Sequence, residues 1–168
     1  MSARTDARIT SAVVKESVAD REILITRLFD IPARYLFEAW SKPEHMMRWF
    51  GPEGWPLTLC EMDFRKGGSF RFAMTGPSGR QNTPFGGKYL EIVPDRKIVY
   101  DNGFETPGAE RMVVTVIFDE ADGRTTLTHH TLFASVAMKE MHTRGGYVKG
   151  VGSGLDQLAD LVRKMEAP

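Results

Sequence analysis

The chain has 168 residues, with 22 basic and 22 acidic side chains and a formal net charge of +0. That length suits one domain with its own core, and the balanced charge argues against a general nucleic-acid binder. Its one cysteine, Cys60, excludes an intrachain disulfide, and no apolar run has the length of a membrane span or the make-up of a secretory signal.

Residues 1–20 mix charges with Ser and Thr and read as a flexible tail, with an edge strand over 9–14 as the alternative. Residues 21–29 (REILITRLF) are rich in aliphatic and β-branched side chains, the composition of a strand. Pro32 suits a first helical turn. Ala33, Leu36, Phe37 and Trp40 then form one apolar helical face. Ser41-Lys42-Pro43-Glu44 has the pattern of a capping box, which predicts a second short helix carrying Met46, Trp49 and Phe50. Strand-like runs follow at 56–64, 69–75, 85–93, 97–104, 111–120 and 125–133, separated by Gly-, Pro- and Asp-containing turns. Short strands at this spacing predict an antiparallel meander. Ser135 can cap a last helical region, which Gly145-Gly146 interrupts. Val151, Leu155, Leu158, Val162 and Met165 then continue as one stripe.

The expected fold class is α+β: a curved antiparallel sheet of about seven strands gripping a long C-terminal helix, with two short helices after the first strand. Residues 21–168 form the domain. A strongly curved sheet closed by one helix predicts an internal cavity.

Several phrases resemble one family. They are DIPARYLFEAWSKPEHMMRWFGPEGW (30–55), Asp63-Phe64-Arg65-Lys66-Gly67-Gly68-Ser69-Phe70, Gly87-Lys88-Tyr89-Leu90-Glu91-Ile92-Val93-Pro94 and Gly154-Leu155-Asp156-Gln157-Leu158. In order and spacing they are similar to the activator of heat-shock-protein-90 ATPase homologue family. That family belongs to the START-like (SRPBCC) superfamily of helix-grip domains, with the pollen allergens and polyketide cyclases. The resemblance implies a helix-grip fold and binding of a hydrophobic or lipid-like molecule. It also leaves open a small cyclase- or hydrolase-like enzyme and an interaction module in the stress response. The twenty residues before the domain are too few for the separate chaperone-binding domain of the eukaryotic co-chaperones, so a heat-shock chaperone partner is not expected. The family's last helix often carries Gly-Trp where this chain has Gly150-Val151, and the smaller side chain should widen the space beneath.

No HExxH, GxSxG, Walker A or GxGxxG motif is present, so no catalytic residue, metal or cofactor is expected. His129 and His130 are adjacent on a strand and must point to opposite faces, one of them inward. Arg27 shares the inward face of its strand with Ile23, Ile25 and Phe29. It needs a carboxylate or an anionic ligand, with Glu61 and Asp63 as candidate partners. Asp63 otherwise suits the amides of its turn. The apolar candidates for a pocket are Trp49, Phe50, Trp55 and Val151 near the short helices, and Phe70, Phe72, Met74, Phe85 and Tyr89 on the early strands. Tyr100, Phe104, Met112, Val114 and Val116 on later strands join them, with Met138 and Met141 before the last helix. Nine methionines are many for this length, and their unbranched side chains adapt to irregular ligands. The expected partner is a hydrophobic small molecule, in the cytoplasm, with no nucleic acid and no integral membrane association. A homodimer is compatible with the sequence.

Overall fold

Alternation decides the strands. Met112, Val114, Val116 and Phe118 are buried on one strand, and Thr125, Leu127, His129, Thr131 and Phe133 on the next, every second residue facing the core. The computed structural model describes residues 16–167. A 3₁₀ turn at Val18–Arg21 leads into β1 (Glu22–Phe29), α1 (Ala33–Ser41) and α2 (Pro43–Trp49). Six strands follow: β2 (Leu57–Met62), β3 (Ser69–Met74), β4 (Phe85–Val93), β5 (Lys97–Phe104), β6 (Met112–Ala121) and β7 (Arg124–Phe133). The chain ends in α3 (Val136–Arg144) and α4 (Tyr147–Glu166).

The seven strands form one antiparallel sheet in the order β1-β7-β6-β5-β4-β3-β2. This is the expected helix-grip α+β fold: a meander closed by β1, with α4 burying Leu155, Leu158, Leu161 and Val162 in the same core. Register shifts in β2 between Leu57 and Leu59, and in β4 between Tyr89 and Glu91, mark irregularities that bend the strands. The β6–β7 hairpin turns on Asp122 and Gly123 at φ 54° and 74°, the left-handed pair of a type I′ turn.

The helices begin and end for local reasons. Pro32 caps α1 without a side-chain bond, and the Ala33 N–H donates to Glu120 Oε1 at 2.7 Å instead. The expected capping box at Ser41 is absent. Lys42 precedes Pro43 and is held extended, so Ser41 stays in α1 and its hydroxyl donates to the Glu38 carbonyl at 2.8 Å. Pro43 opens α2, a position where its missing N–H costs nothing. Ser135 caps α3 as expected, its Oγ accepting from the Met138 N–H at 3.0 Å. Gly146 separates α3 from α4 at φ 87°. Residues 9–14, the alternative edge strand, lie outside the described residues. Of the expected tail, residues 16–20 are described: they run into the 3₁₀ turn, and Glu16 accepts from the Val136 N–H at 2.8 Å at the start of α3.

Arg27 does not reach Glu61 or Asp63. Those residues belong to β2 and the turn after it, and β1 and β2 are opposite edges of the sheet. The guanidinium meets Asp156 of α4 at 2.6 Å. Asp63 in turn pairs with Arg65 at 2.9 Å, where its carboxylate was expected on the turn amides. The Arg27 and Asp156 side chains are 33% and 73% exposed, and a pair this wet contributes about 0–1 kcal/mol. Asp156→Ala is therefore expected to lower stability by at most about 1 kcal/mol in a urea titration. A loss of about 3 kcal/mol, the cost of stranding a buried charge, would contradict this picture of the pair.

Candidate functional site

Between the concave sheet face, the lid made by α1 and α2, and the two C-terminal helices lies a cavity of about 430 Å³, within the usual range for small-molecule sites. Trp40, Trp49, Phe50 and Pro52 close it from the lid. Met74, Phe85, Tyr100, Phe104, Met112 and Val114 form the floor. Met138, Met141, Tyr147, Val151 and Leu155 come from α3 and α4. Phe104 and Met141 are exposed, as are Gly145 and Gly146, which puts the mouth at the α3–α4 junction.

The lid is held by specific bonds. The Trp49 indole N–H donates to the Ala39 carbonyl at 3.0 Å, and its ring centroid lies 4.4 Å from that of Trp40. From α4, Gln157 Nε2 donates to the Trp49 and Gly51 carbonyls at 2.8 and 2.7 Å, and Ser153 Oγ accepts from the Glu53 N–H. The far wall is tied by the Tyr147 hydroxyl, 2.7 Å from Thr131 Oγ1. Burial pushes the Tyr147 phenol up to about 12 and the Tyr100 phenol well above its ordinary value, so both stay un-ionised.

Among the described residues no Asp, Glu, Lys or Arg lines the cavity. Its polar side chains are Asn102, His129 and His142, beside the tyrosines and the indoles. His142 Nδ1 donates to the Met138 carbonyl at 2.9 Å. Among the described residues three of the lining side chains carry a fully covered atom without a hydrogen-bond partner: Trp40 Nε1, Asn102 Oδ1 and His129 Nδ1. His130 points to the opposite face and meets Glu22 at 3.2 Å. Cys60 lies outside the cavity, with its thiol pushed up by burial to about 11. Among the described residues no cluster of His, Cys, Asp or Glu is placed to hold a metal ion.

The family model for activator of Hsp90 ATPase homolog 1-like proteins matches residues 30–163. The chain belongs to this family. Solved structures agree on the fold. A Nitrosomonas europaea protein superposes with a TM-score of 0.79 at 22% identity, over 89% of this chain and 99% of that one. A Chromobacterium violaceum protein gives 0.73 at 27%, over 84% and 96%, and an Arthrobacter aurescens protein 0.80 at 23%, over 92% and 93%. A comparison with curated proteins finds no match. No helix among the described residues is long and apolar enough to cross a membrane.

In this family member the cavity gathers Trp49, Phe50, Met74, Phe85, Tyr100, Phe104, Met112, Val114, His129, Met138, Met141 and Val151 of the residues singled out from sequence. It does not gather Arg27, Trp55, Phe70, Phe72, Tyr89 or Val116. Phe70 packs its ring 4.9 Å from Phe72 and 5.2 Å from Tyr89, so these three fill the core beneath the early strands. Trp55 covers Gly76, where any side chain would enter its ring. Sequence reasoning left out Trp40, Asn102, His142 and Tyr147. Tyr147 stands four residues before Val151 on the same helical stripe, and Asn102 two after Tyr100 on the same strand face, so periodicity carried a signal for both.

Burial holds the His129 imidazole down from its ordinary 6.5 to about 4. The unfolded chain takes up a proton near 6.5 that the folded protein refuses until about 4. The resulting stability is present in full above 6.5 and is lost as pH falls toward 4, by roughly 3 kcal/mol. His129→Leu removes this dependence. The wild-type minus variant stability should therefore drop by that amount across the window in urea titrations at successive pH values. A constant difference would mean that His129 titrates alike in both states.

Proposed function

We propose that this chain binds an apolar or amphipathic small molecule between the sheet and α4, without transforming it. The observation that carries the reading is the wall: aromatic rings and methionines around about 430 Å³, with no charged side chain among the described residues. Burial of ligand surface there contributes about 25 cal/mol per Å², and the few polar atoms orient the molecule. A buried imidazole held near 4 is a poor base at neutral pH, which favours binding over catalysis. The lone free thiol, Cys60, suits a cytoplasmic setting. The chaperone in the family's name has no part in this reading.

Two measurements test it. Native mass spectrometry of freshly purified protein should reveal a co-purifying small molecule of apolar character. Val151→Trp should fill the cavity under α4. Filling space is mild, whereas overpacking a tight core costs about 1–3 kcal/mol. The variant is expected to keep its melting temperature within a few degrees and to bind the neutral fluorophore N-phenylnaphthylamine at least about tenfold more weakly. A stable variant with unchanged affinity would place the ligand elsewhere and remove the support for this function.

A further inference from the structure

The sheet is open, and its two edge strands, β1 and β2, are built differently. The β2 edge is protected in ways that block pairing with another chain. It is six residues long, its register shifts between Leu57 and Leu59, and the start of α2 lies against it, with Cys60 Sγ 4.0 Å from the Pro43 carbonyl. β1 has none of these devices. It runs for eight residues without a register shift and contains no Pro, Gly or Lys.

The ladder fixes which backbone groups of β1 are free. The two-residue turn Asp122-Gly123 closes on the pair Ala121 and Arg124, which bond to each other. From Arg124 the direction alternates along β7. Arg124, Thr126, Thr128, His130 and Leu132 turn their N–H and C=O toward β6. Thr125, Leu127, His129 and Thr131 turn theirs toward β1, where they meet Phe29, Arg27, Ile25 and Ile23. The Phe133 carbonyl, on that same side, accepts from the Arg21 guanidinium at 2.8 Å. The N–H and C=O groups of Leu24, Thr26 and Leu28 therefore point away from the sheet. Among the described residues no turn, loop or helix backbone bonds to them. Their side chains share the outer face: Leu24 is 64% exposed and Leu28 55%, with Thr26 exposed between them.

Leu-Thr-Leu at alternate positions reads the same in both directions, which is what an antiparallel contact between identical strands requires. A two-fold axis at Thr26 sets Thr26 opposite Thr26 of a second copy, and Leu24 opposite Leu28 of that copy. All three are hydrogen-bonded pairs, so about six backbone bonds form, and the leucines leave water together. Arg27 then faces Ile25 of the second copy rather than a like charge, and keeps its own Asp156. At each end Glu22 nears Asp30 of the second copy, but each carboxylate has a cationic neighbour of its own, His130 at 3.2 Å and Arg124 at 3.5 Å. From this self-complementarity we infer that β1 is the interface of a homodimer, in which two copies join their sheets edge to edge through antiparallel β1 strands centred on Thr26. The contact is one strand wide and about 27 Å long. It falls below the roughly 1,200 Å² of a standard interface, so the dimer is a reversible one. The inference is independent of what the cavity holds.

The test is sedimentation velocity of the full chain from about 1 to 300 µM, where the monomer should pass to a dimer with a Kd of about 10–100 µM. Leu24→Lys/Leu28→Lys sets lysines opposite one another and should weaken the dimer at least about tenfold. Leu24→Glu/Leu28→Lys sets opposite charges across the same pairs and should keep it. Thr26→Pro removes an N–H that β7 does not use, so it should abolish the dimer while the melting temperature stays within a few degrees. In a Cys60→Ser background, mild oxidation should cross-link Thr26→Cys, with Cα atoms about 5.5 Å apart across the axis. Leu28→Cys, roughly 14 Å from its mate, should not cross-link. A chain that stays monomeric at about 300 µM overturns the inference, and amides of Leu24, Thr26 and Leu28 protected from exchange in that monomer would give the edge to residues 1–15 of the same chain. A dimer indifferent to Leu24→Lys/Leu28→Lys, and cross-linked no better through Thr26→Cys than through Leu28→Cys, overturns it as well. The wild-type concentration series and the cross-links decide this even where a charged variant fails to fold.

Discussion

The structure depends on one side chain that joins its last helix to its lid. Gln157 offers both hydrogens of its amide to the carbonyls of Trp49 and Gly51. These carbonyls end α2, where helical geometry leaves acceptors without partners. Helices of nine and seven residues are too short to hold themselves in water, so the lid takes its position from what it packs against. Ser153, one turn before Gln157 on the same face of α4, fixes the next stretch through the Glu53 N–H. With the lid pinned, the rings of Trp40 and Trp49 are pinned, and the inner end of the cavity is closed by rigid walls.

The same helix explains why a cavity survives at all. Its second half carries Leu155, Leu158, Leu161 and Val162, which fill the core. Its first half carries Gly150, Gly152 and Gly154, with Val151 as the one larger apolar side chain between them. Glycine inside a helix costs about 1 kcal/mol each relative to alanine, and two of them, Gly150 and Gly154, line the hollow. The helix is a filler at one end and a spacer at the other, while the bent strands of the sheet keep the floor away from it.

What was legible in the sequence was what depends on near neighbours. Strand-like runs between turn residues located β4 and β5 residue for residue, and the spacing of the stripe from Val151 to Met165 located the grip helix. The adjacency of His129 and His130 required one of them to face inward, and Leu127 on the buried face of β7 makes it His129. Long-range pairing was not legible. Arg27 was matched to carboxylates on the next strand in the chain, but a meander that returns its last strand to its first sends β1 and β2 to opposite edges. The lid-fixing role of Gln157 gave no signal, since a glutamine on a helix says nothing about distant carbonyls. Whether Trp40, Asn102 and His129 find partners is likewise a property of the assembled wall.

Charge is sorted by the fold. Arg27 pairs with Asp156, Arg71 with Glu105 and Arg111 with Asp101, all outside the cavity. Arg111 lies over Gly103 and Gly87, where a side chain would collide with it, and that packing keeps its charge away from the interior. The interior is left with neutral dipoles in a medium where an unpaired one is costly. The hollow is lined, among the described residues, by neutral side chains, most of them aromatic rings and methionines. Gly150 and Gly154 of α4 border it. A helix that keeps glycines against a space it could have filled with side chains bears their cost, and that is the physical reason to look for a ligand here.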